Sequence, residues 1–202
     1  MTIRFILASE SPARLRTLLR AGVVPEVMVS GLIESSVDSK GDTPAEFAQV
    51  LANTKAKLVR AQVRGEALVL GCDSLLELDG EALGKPASYT DAPACWERMR
   101  GRVGTLHTGH CLMDVAAERV AVATVSTHVE FADITDEEIE LYCGTGEPSN
   151  VAGAFTIDGF GGWFINGIQG DPHNVVGLSL PMLRRMLREL NFGLPDIGYP
   201  TP

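Results

Sequence analysis

Short, dense apolar runs alternate along this chain with stretches whose apolar residues recur every three or four positions, the pattern of an α/β protein. Residues 3–8 read as a first strand. Ser11 then stands as an N-cap with Pro12 at the first helical position, and Leu15, Leu18 and Leu19 form a stripe that Gly22 ends. Residues 23–29 read as a second strand and residues 31–43 as a loop. Thr43-Pro44-Ala45-Glu46 is a capping-box pattern opening a long helix to about Val63, with Phe47, Val50, Leu51, Leu58 and Val59 on its core side. Lys55 and Lys57 fall between those positions, so they need not face the same way.

Leu68-Val69-Leu70 predicts a central strand that ends in Gly71-Cys72-Asp73 and brings Asp73 out at a sheet edge, where α/β proteins place their functional groups. Residues 75–78 and 81–83 flank Asp79-Gly80, a dipeptide suited to a two-residue hairpin turn. Gly84-Lys85-Pro86 ends the second arm and is expected to fold Lys85 back toward Asp73. A helix over 91–100 stops at Gly101, and residues 105–115 and 119–131 predict two long strands in a meander. Thr135 opens a short helix with acids in its first turn, which suits the helix dipole. A Gly-rich stretch, residues 153–170, precedes a last helix over about 175–190, with Asn174 as its N-cap and Leu178, Leu180, Leu183, Leu187 and Leu190 along it. Residues 191–202, with three prolines, read as a tail after a single domain of residues 1–190.

The chain has 202 residues, 45% hydrophobic and 21% charged, enough for one substantial core or two small lobes around a cleft. A formal charge of −9 argues against general nucleic-acid or anionic-membrane binding, so a polyanionic substrate must be met by a local group of cations, with metal ions. The four cysteines show no CxxC pair and read as reduced thiols of a cytoplasmic protein. No segment has the run of about 20 apolar residues that crosses a membrane. His107 and His110, three apart on a strand, fall on opposite faces and do not form a metal pair.

The candidate chemistry lies at three places. Residues 9–14 combine a strand end, a polar turn and a helix N-terminus, a geometry that holds phosphate, although the Walker spacing is missing. An ordinary capped helix would show the same residues. Arg14 in the first helical turn is unfavourable for the dipole and implies an anionic partner. Glu34 lies in an acidic loop with Asp38 and Asp42, and a solvated loop is the more ordinary reading of such a cluster. If Arg14, Lys55 and Lys85 converge with Glu34 and Asp73, three cations and two carboxylates make a site for phosphoryl chemistry. Asp73 and Lys85 alone would be a plain ion pair. Phe155, Phe160, Trp163 and Phe164 could stack on a base or fill a core.

With these residues in place the chain resembles the Maf family of nucleoside triphosphate pyrophosphatases, also described as septum formation proteins. The likeness rests on residues 7–14 (LASESPAR) with Leu18-Leu19, on Glu34, Lys55-Ala56, Gly71-Cys72-Asp73-Ser74, Gly84-Lys85-Pro86 and His107-Thr108-Gly109, and on residues 152–155 (AGAF) leading to 174–178 (NVVGL). The resemblance implies an elongated mixed β-sheet with flanking helices and two lobes around a deep cleft, related to the inosine triphosphatase type, in a homodimer. It implies hydrolysis of a nucleoside triphosphate, non-standard ones included, to the monophosphate and pyrophosphate with Mg²⁺ or Mn²⁺. Asp73 would be the metal-linked acid or general base, Glu34 would share metal or substrate binding, Arg14, Lys55 and Lys85 would hold phosphates, and Ser9 would line the pocket. The sequence departs from the family where a second arginine is Ala13, where a glutamine is Asp158, and where Gly-Ala-Asp-Thr is Gly-Cys-Asp-Ser. Asp158 would face substrate or bind metal. The competing reading is a weakened nucleotide-binding regulator linked to cell division.

Overall fold

The computed structural model describes residues 2–38, 42–83 and 91–198. Along the chain come β1 (Arg4–Leu7), α1 (Pro12–Arg20), β2 (Glu26–Val27), α2 (Pro44–Arg60), β3 (Ala67–Leu78), β4 (Glu81–Leu83), α3 (Asp91–Met99), β5 (Val103–Asp114), β6 (Arg119–Phe131), α4 (Asp136–Gly144), β7 (Ile165–Gln169), α5 (Pro172–Val175) and α6 (Leu180–Glu189). The seven strands form one mixed sheet in the order β2-β1-β3-β5-β6-β7, with β4 also on β3. β1 is parallel to β2 and β3, and the other pairs are antiparallel. Among the described residues no helix is long and apolar enough to cross a membrane.

β3 does not stop at Asp73. It continues to Leu78 because β5 pairs with it from Leu68 to Glu77. On its other side β1 pairs only with residues 67–70 and β4 only with residues 76–78, so among the described residues the middle of β3 has no strand neighbour there. Asp73 therefore sits at an opening in the ladder rather than at a strand end. The hairpin forms as expected, with Asp79 and Gly80 at φ 56° and 81°. Lys85, expected to follow it back toward Asp73, lies outside the described residues.

The long strands carry two faces. One face of β3 points Leu68, Leu70 and Cys72 into a cluster with Leu18 of α1 and Leu183, Met186 and Leu187 of α6. Farther along the same face, Leu76 and Leu78 join Trp96, Phe131, Tyr142, Phe155 and Phe164, with Trp96 edge-on to Phe131 and Tyr142. The opposite face is covered by α2, where Ala56 and Val59 meet Ile6, Val69 and Cys111.

The expected core side of α2 needs correction. Leu51 and Val59 are buried as expected, together with Pro44, Ala48, Ala52 and Ala56, while Leu58 is exposed and Phe47 and Val50 are half-buried. The reason is a close approach: a Cβ at Gly71 would lie 2.4 Å from Ala52 O, and one at Gly109 would lie 2.4 Å from Ala48 O. Small residues on the helix meet glycines on the strands, so the stripe follows alanine rather than the bulkier side chains. The second strand shrinks to two residues because Pro25, which has no N–H to give, interrupts its run. The single last helix is two, since Gly177 at φ 103° stops the first and Ser179 caps the second. Val120 and Val122 face outward, and Ala121 is the buried residue between them. After α6, Ile197 packs with Leu187 and Leu190, and Asp196 O accepts from Ile3 N at 2.7 Å.

His110 lies on the α1/α6 side, and its Nδ1 donates to Thr108 O at 3.0 Å while its Nε2 accepts from Ser179 N at 2.9 Å. That pairing requires the neutral ring. Burial, assisted by the charge of Arg14, pulls its pKa from 6.5 down to about 4.

Two predictions follow from these contacts. Gly109→Ala or Gly71→Ala should each cost at least about 2 kcal/mol, because the added methyl meets helix backbone that cannot rotate away; urea denaturation should show a lower midpoint at unchanged slope, and an unchanged midpoint would contradict the packing. The unfolded chain binds a proton at His110 near pH 6.5, whereas the fold resists it until about 4. Stability from this residue is thus full above pH 6.5 and lost as pH falls through that interval, by about 3 kcal/mol in all. His110→Gln should flatten the loss between pH 6.5 and 4, and an equally steep loss in that variant would refute the assignment.

Candidate active site

A cavity of about 570 Å³ opens beside the unpaired middle of β3, within the range of about 300 to 1,000 Å³ usual for small-molecule sites. It takes in both faces of the strand, because consecutive side chains point to opposite sides. Asp73 meets α2 on one face, and Ser74 meets α1 on the other.

On the α2 side the glycine contacts let the helix lie low enough for Lys55 to reach the strand. Its ammonium makes a short ion pair with Asp73 Oδ1 and a second with Glu34 Oε1 at 2.6 Å. The Lys55 side chain is only 12% exposed and that of Asp73 7%, whereas Glu34, in a short 3₁₀ turn (Glu34–Ser36), is 49% exposed. Burial pushes the Asp73 carboxyl above its ordinary range, against Lys55 and Arg14, which pull it down. Burial is the larger influence.

On the α1 side Ser11 caps the helix, its side chain accepting from Arg14 N. Arg14 is buried, and its guanidinium donates to Gly177 O at 2.8 Å, Ser9 Oγ at 3.1 Å and Ser74 Oγ at 3.0 Å. Ser74 Oγ lies 2.9 Å from Thr108 Oγ1, and Thr108 donates to Asn174 O at 3.0 Å. Thr108 has one hydroxyl proton, so the direction is fixed: Arg14 donates to Ser74, Ser74 to Thr108, and Thr108 to the backbone of α5. Every one of those acceptors is neutral. Among the described residues Arg14, a wall of the cavity, makes no ion pair, which leaves its charge for a ligand.

The structure brings together five of the residues singled out in the sequence: Ser9, Arg14, Glu34, Lys55 and Asp73 all line the cavity. Asp158 does not. Its carboxylate pairs with Arg16 of α1 at 3.2 Å and accepts the hydroxyl of Thr156, which does line the cavity. Burial favours the protonated form of Asp158, but the hydrogen bonds from Thr156 and Arg16 outweigh it and hold the group below the usual carboxylate range. Asp38 and Asp42 are exposed and stay out of the wall. Asn174 is not a helix cap: it is buried in α5, and its amide donates to Leu106 O, Val125 O and Thr127 Oγ1. Of the aromatics, Phe155 and Phe164 are buried and Trp163 is 82% exposed; Phe155 alone of the four borders the cavity.

Ser74, Thr108 and Gly177 were not singled out, although each stands inside a motif noted in the sequence. Alternation along β3 places Ser74 opposite Asp73, and that alone could have suggested a second polar face.

Among the described residues no group of three or more His, Cys, Asp or Glu has the arrangement of a metal site. Glu34 and Asp73 nonetheless converge on one cation, the Lys55 ammonium. Two hard carboxylate oxygens at one point suit Mg²⁺ or Mn²⁺, which complete their shells with water and phosphate. The donor set fits such an ion.

A family model described as "Maf-like protein" matches residues 4–190. The chain is 55% identical over 199 residues to a protein of Streptomyces avermitilis named "Nucleoside triphosphate pyrophosphatase", covering 98% of this chain and 95% of that one. A protein of the same name from Salinispora tropica is 54% identical over 212 residues, covering 100% and 93%. A solved structure titled as a nucleoside-triphosphatase, or dITP/XTP pyrophosphatase, from Mycobacterium abscessus is 16% identical with a TM-score of 0.40, over 94% of this chain and 97% of that one. At that level the structural likeness carries no argument.

Replacing Lys55 by Met should raise the Asp73 pKa further, since it removes the nearest positive charge and leaves burial to act. A ¹³C-carboxyl titration by NMR reads this directly, and an unmoved Asp73 resonance would contradict the pairing.

Proposed function

The chain belongs to the Maf family, and from that premise we propose that it hydrolyses nucleoside triphosphates, non-standard ones included, to the monophosphate and pyrophosphate. The observation that carries this reading is Arg14: a buried cation on the cavity wall whose hydrogen-bond acceptors among the described residues are all neutral. A substrate phosphate would meet that charge.

In this reading the phosphates lie against Arg14, Ser9 and Lys55, with Lys85 as a third cation. Glu34 and Asp73 would hold a divalent ion, Mg²⁺ or Mn²⁺, which when bound neutralises phosphate charge. Asp73 accepts the proton of the attacking water, a task helped by the upward push of burial on its carboxyl. The water oxygen bonds to the α-phosphorus, the bridging bond to the β-phosphate breaks, and pyrophosphate leaves. The base goes to the uncharged wall, where Phe155 and Val175 belong to the Trp96 cluster. Lys55 passes from its carboxylate partners to the substrate.

We also place the enzyme in the cytoplasm, in keeping with four free cysteines, and as a homodimer. Val24, Val27, Val29 and Ile33, 46% to 79% exposed around the edge strand β2, offer a surface for a second copy.

Release of pyrophosphate from a panel of canonical and modified triphosphates, with Mg²⁺ or Mn²⁺, tests the reading. Wild type should yield pyrophosphate, and Asp73→Asn should lose at least about 100-fold in kcat while keeping its fold by circular dichroism. Release of phosphate instead, or full activity in Asp73→Asn, would overturn it.

A further inference from the structure

The uncharged wall of the cavity includes Val151, Phe155, Thr156 and Val176, and Thr156 alone of these carries a polar side chain. Its hydroxyl has one proton, and that proton goes to Asp158 Oδ1. The same oxygen accepts from Asp158 N at 3.4 Å, so what Thr156 has left for the cavity is its one remaining lone pair. Asp158 cannot reverse this, because Arg16 on its other oxygen keeps it a carboxylate, which only accepts.

The loop holding Asp158 is itself pinned. Glu147 accepts from Phe160 N and Gly161 N, each at 2.9 Å, and from the Tyr142 hydroxyl at 2.8 Å. Gly159 and Gly161 admit this clamp, since a Cβ on either would lie 2.1 Å from Glu147 Oε2 or 2.3 Å from Tyr142 Oη. The acceptor thus stands beside a pinned turn that the Arg16–Asp158 pair ties to α1.

We propose that Thr156, held as a hydrogen-bond acceptor by the Arg16–Asp158 pair, reads a ring N–H of the nucleobase. Triphosphates of uracil, thymine, guanine and hypoxanthine, whose ring nitrogen carries a proton, are then preferred over those of cytosine and adenine, whose corresponding nitrogen is bare. Thr156 selects, and Asp158 and Arg16 are positioning residues. The inference rests on the reading of the cavity as a triphosphate site.

Uridine and inosine each carry a single base N–H, so methylation at N3 or N1 replaces that donor by a methyl group. kcat/KM should be measured for UTP, N3-methyl-UTP, ITP and N1-methyl-ITP. Each parent that is cleaved should exceed its methylated analogue by about tenfold or more. Thr156→Val should bring that ratio close to one, and Asp158→Asn, which can free the threonine proton, should raise CTP relative to UTP. Arg16→Gln should narrow the ratio through KM rather than kcat. Equal rates for parent and analogue in wild type, a ratio unmoved in Thr156→Val, or faster cleavage of ATP and CTP than of all ring-N–H triphosphates would overturn the proposal. If no triphosphate is cleaved, the reading of the reaction has failed; the ratio of dissociation constants for the same pairs, by calorimetry, still decides this one by the same criteria.

Discussion

The closeness of α2 to the sheet is the constraint on which the site depends. Gly71 and Gly109 let the backbone of the helix lie where side chains would normally stand, and Lys55 reaches Asp73 only because of it. Were the helix raised by one side-chain layer, Asp73 would remain buried without its cation. The same contact sets the register of the helix, placing Lys55 toward the opening in β3 and leaving Leu58 toward solvent. Packing and electrostatics are one arrangement here.

Around that opening the protein deals with charge in two ways. On the α2 side a buried carboxylate is matched by a buried ammonium, with Glu34 at the rim. On the α1 side a buried guanidinium is satisfied by hydroxyls and a carbonyl, which meet its N–H groups without cancelling its charge. A chain with net charge −9 can receive a polyanion only through such local positive potential. Ser74, Thr108 and Asn174 also form a polar belt between the two apolar clusters on that face of the sheet, so Arg14 is anchored where the core is interrupted.

Local signals were the most legible in the sequence. The cap at Ser11, the capping box at Thr43, the helix opened by Thr135 and the Asp79-Gly80 turn all depend on residues a few positions apart, and the structure has each of them. What sequence could not supply depends on contacts between distant segments. β3 was expected to end at Asp73, since nothing nearby reveals that β5 pairs with it up to Glu77. The expected core face of α2 held at Leu51 and Val59, but Phe47, Val50 and Leu58 give way to alanines because two glycines lie beneath them. Pro25 and Gly177 were visible breakers whose effect was underestimated. Five of the site residues could be gathered by their resemblance to motifs, but Asp158 could not be placed without knowing that Arg16 faces it.

The most direct measurement of the central claim is a crystal structure of the protein with Mg²⁺ and a triphosphate carrying an imido link between its α- and β-phosphates. The account predicts phosphate oxygens on Arg14 and Lys55, the metal between Glu34 and Asp73, and the base against Phe155 and Thr156. A nucleotide bound elsewhere, or phosphates with no contact to Arg14, would contradict it.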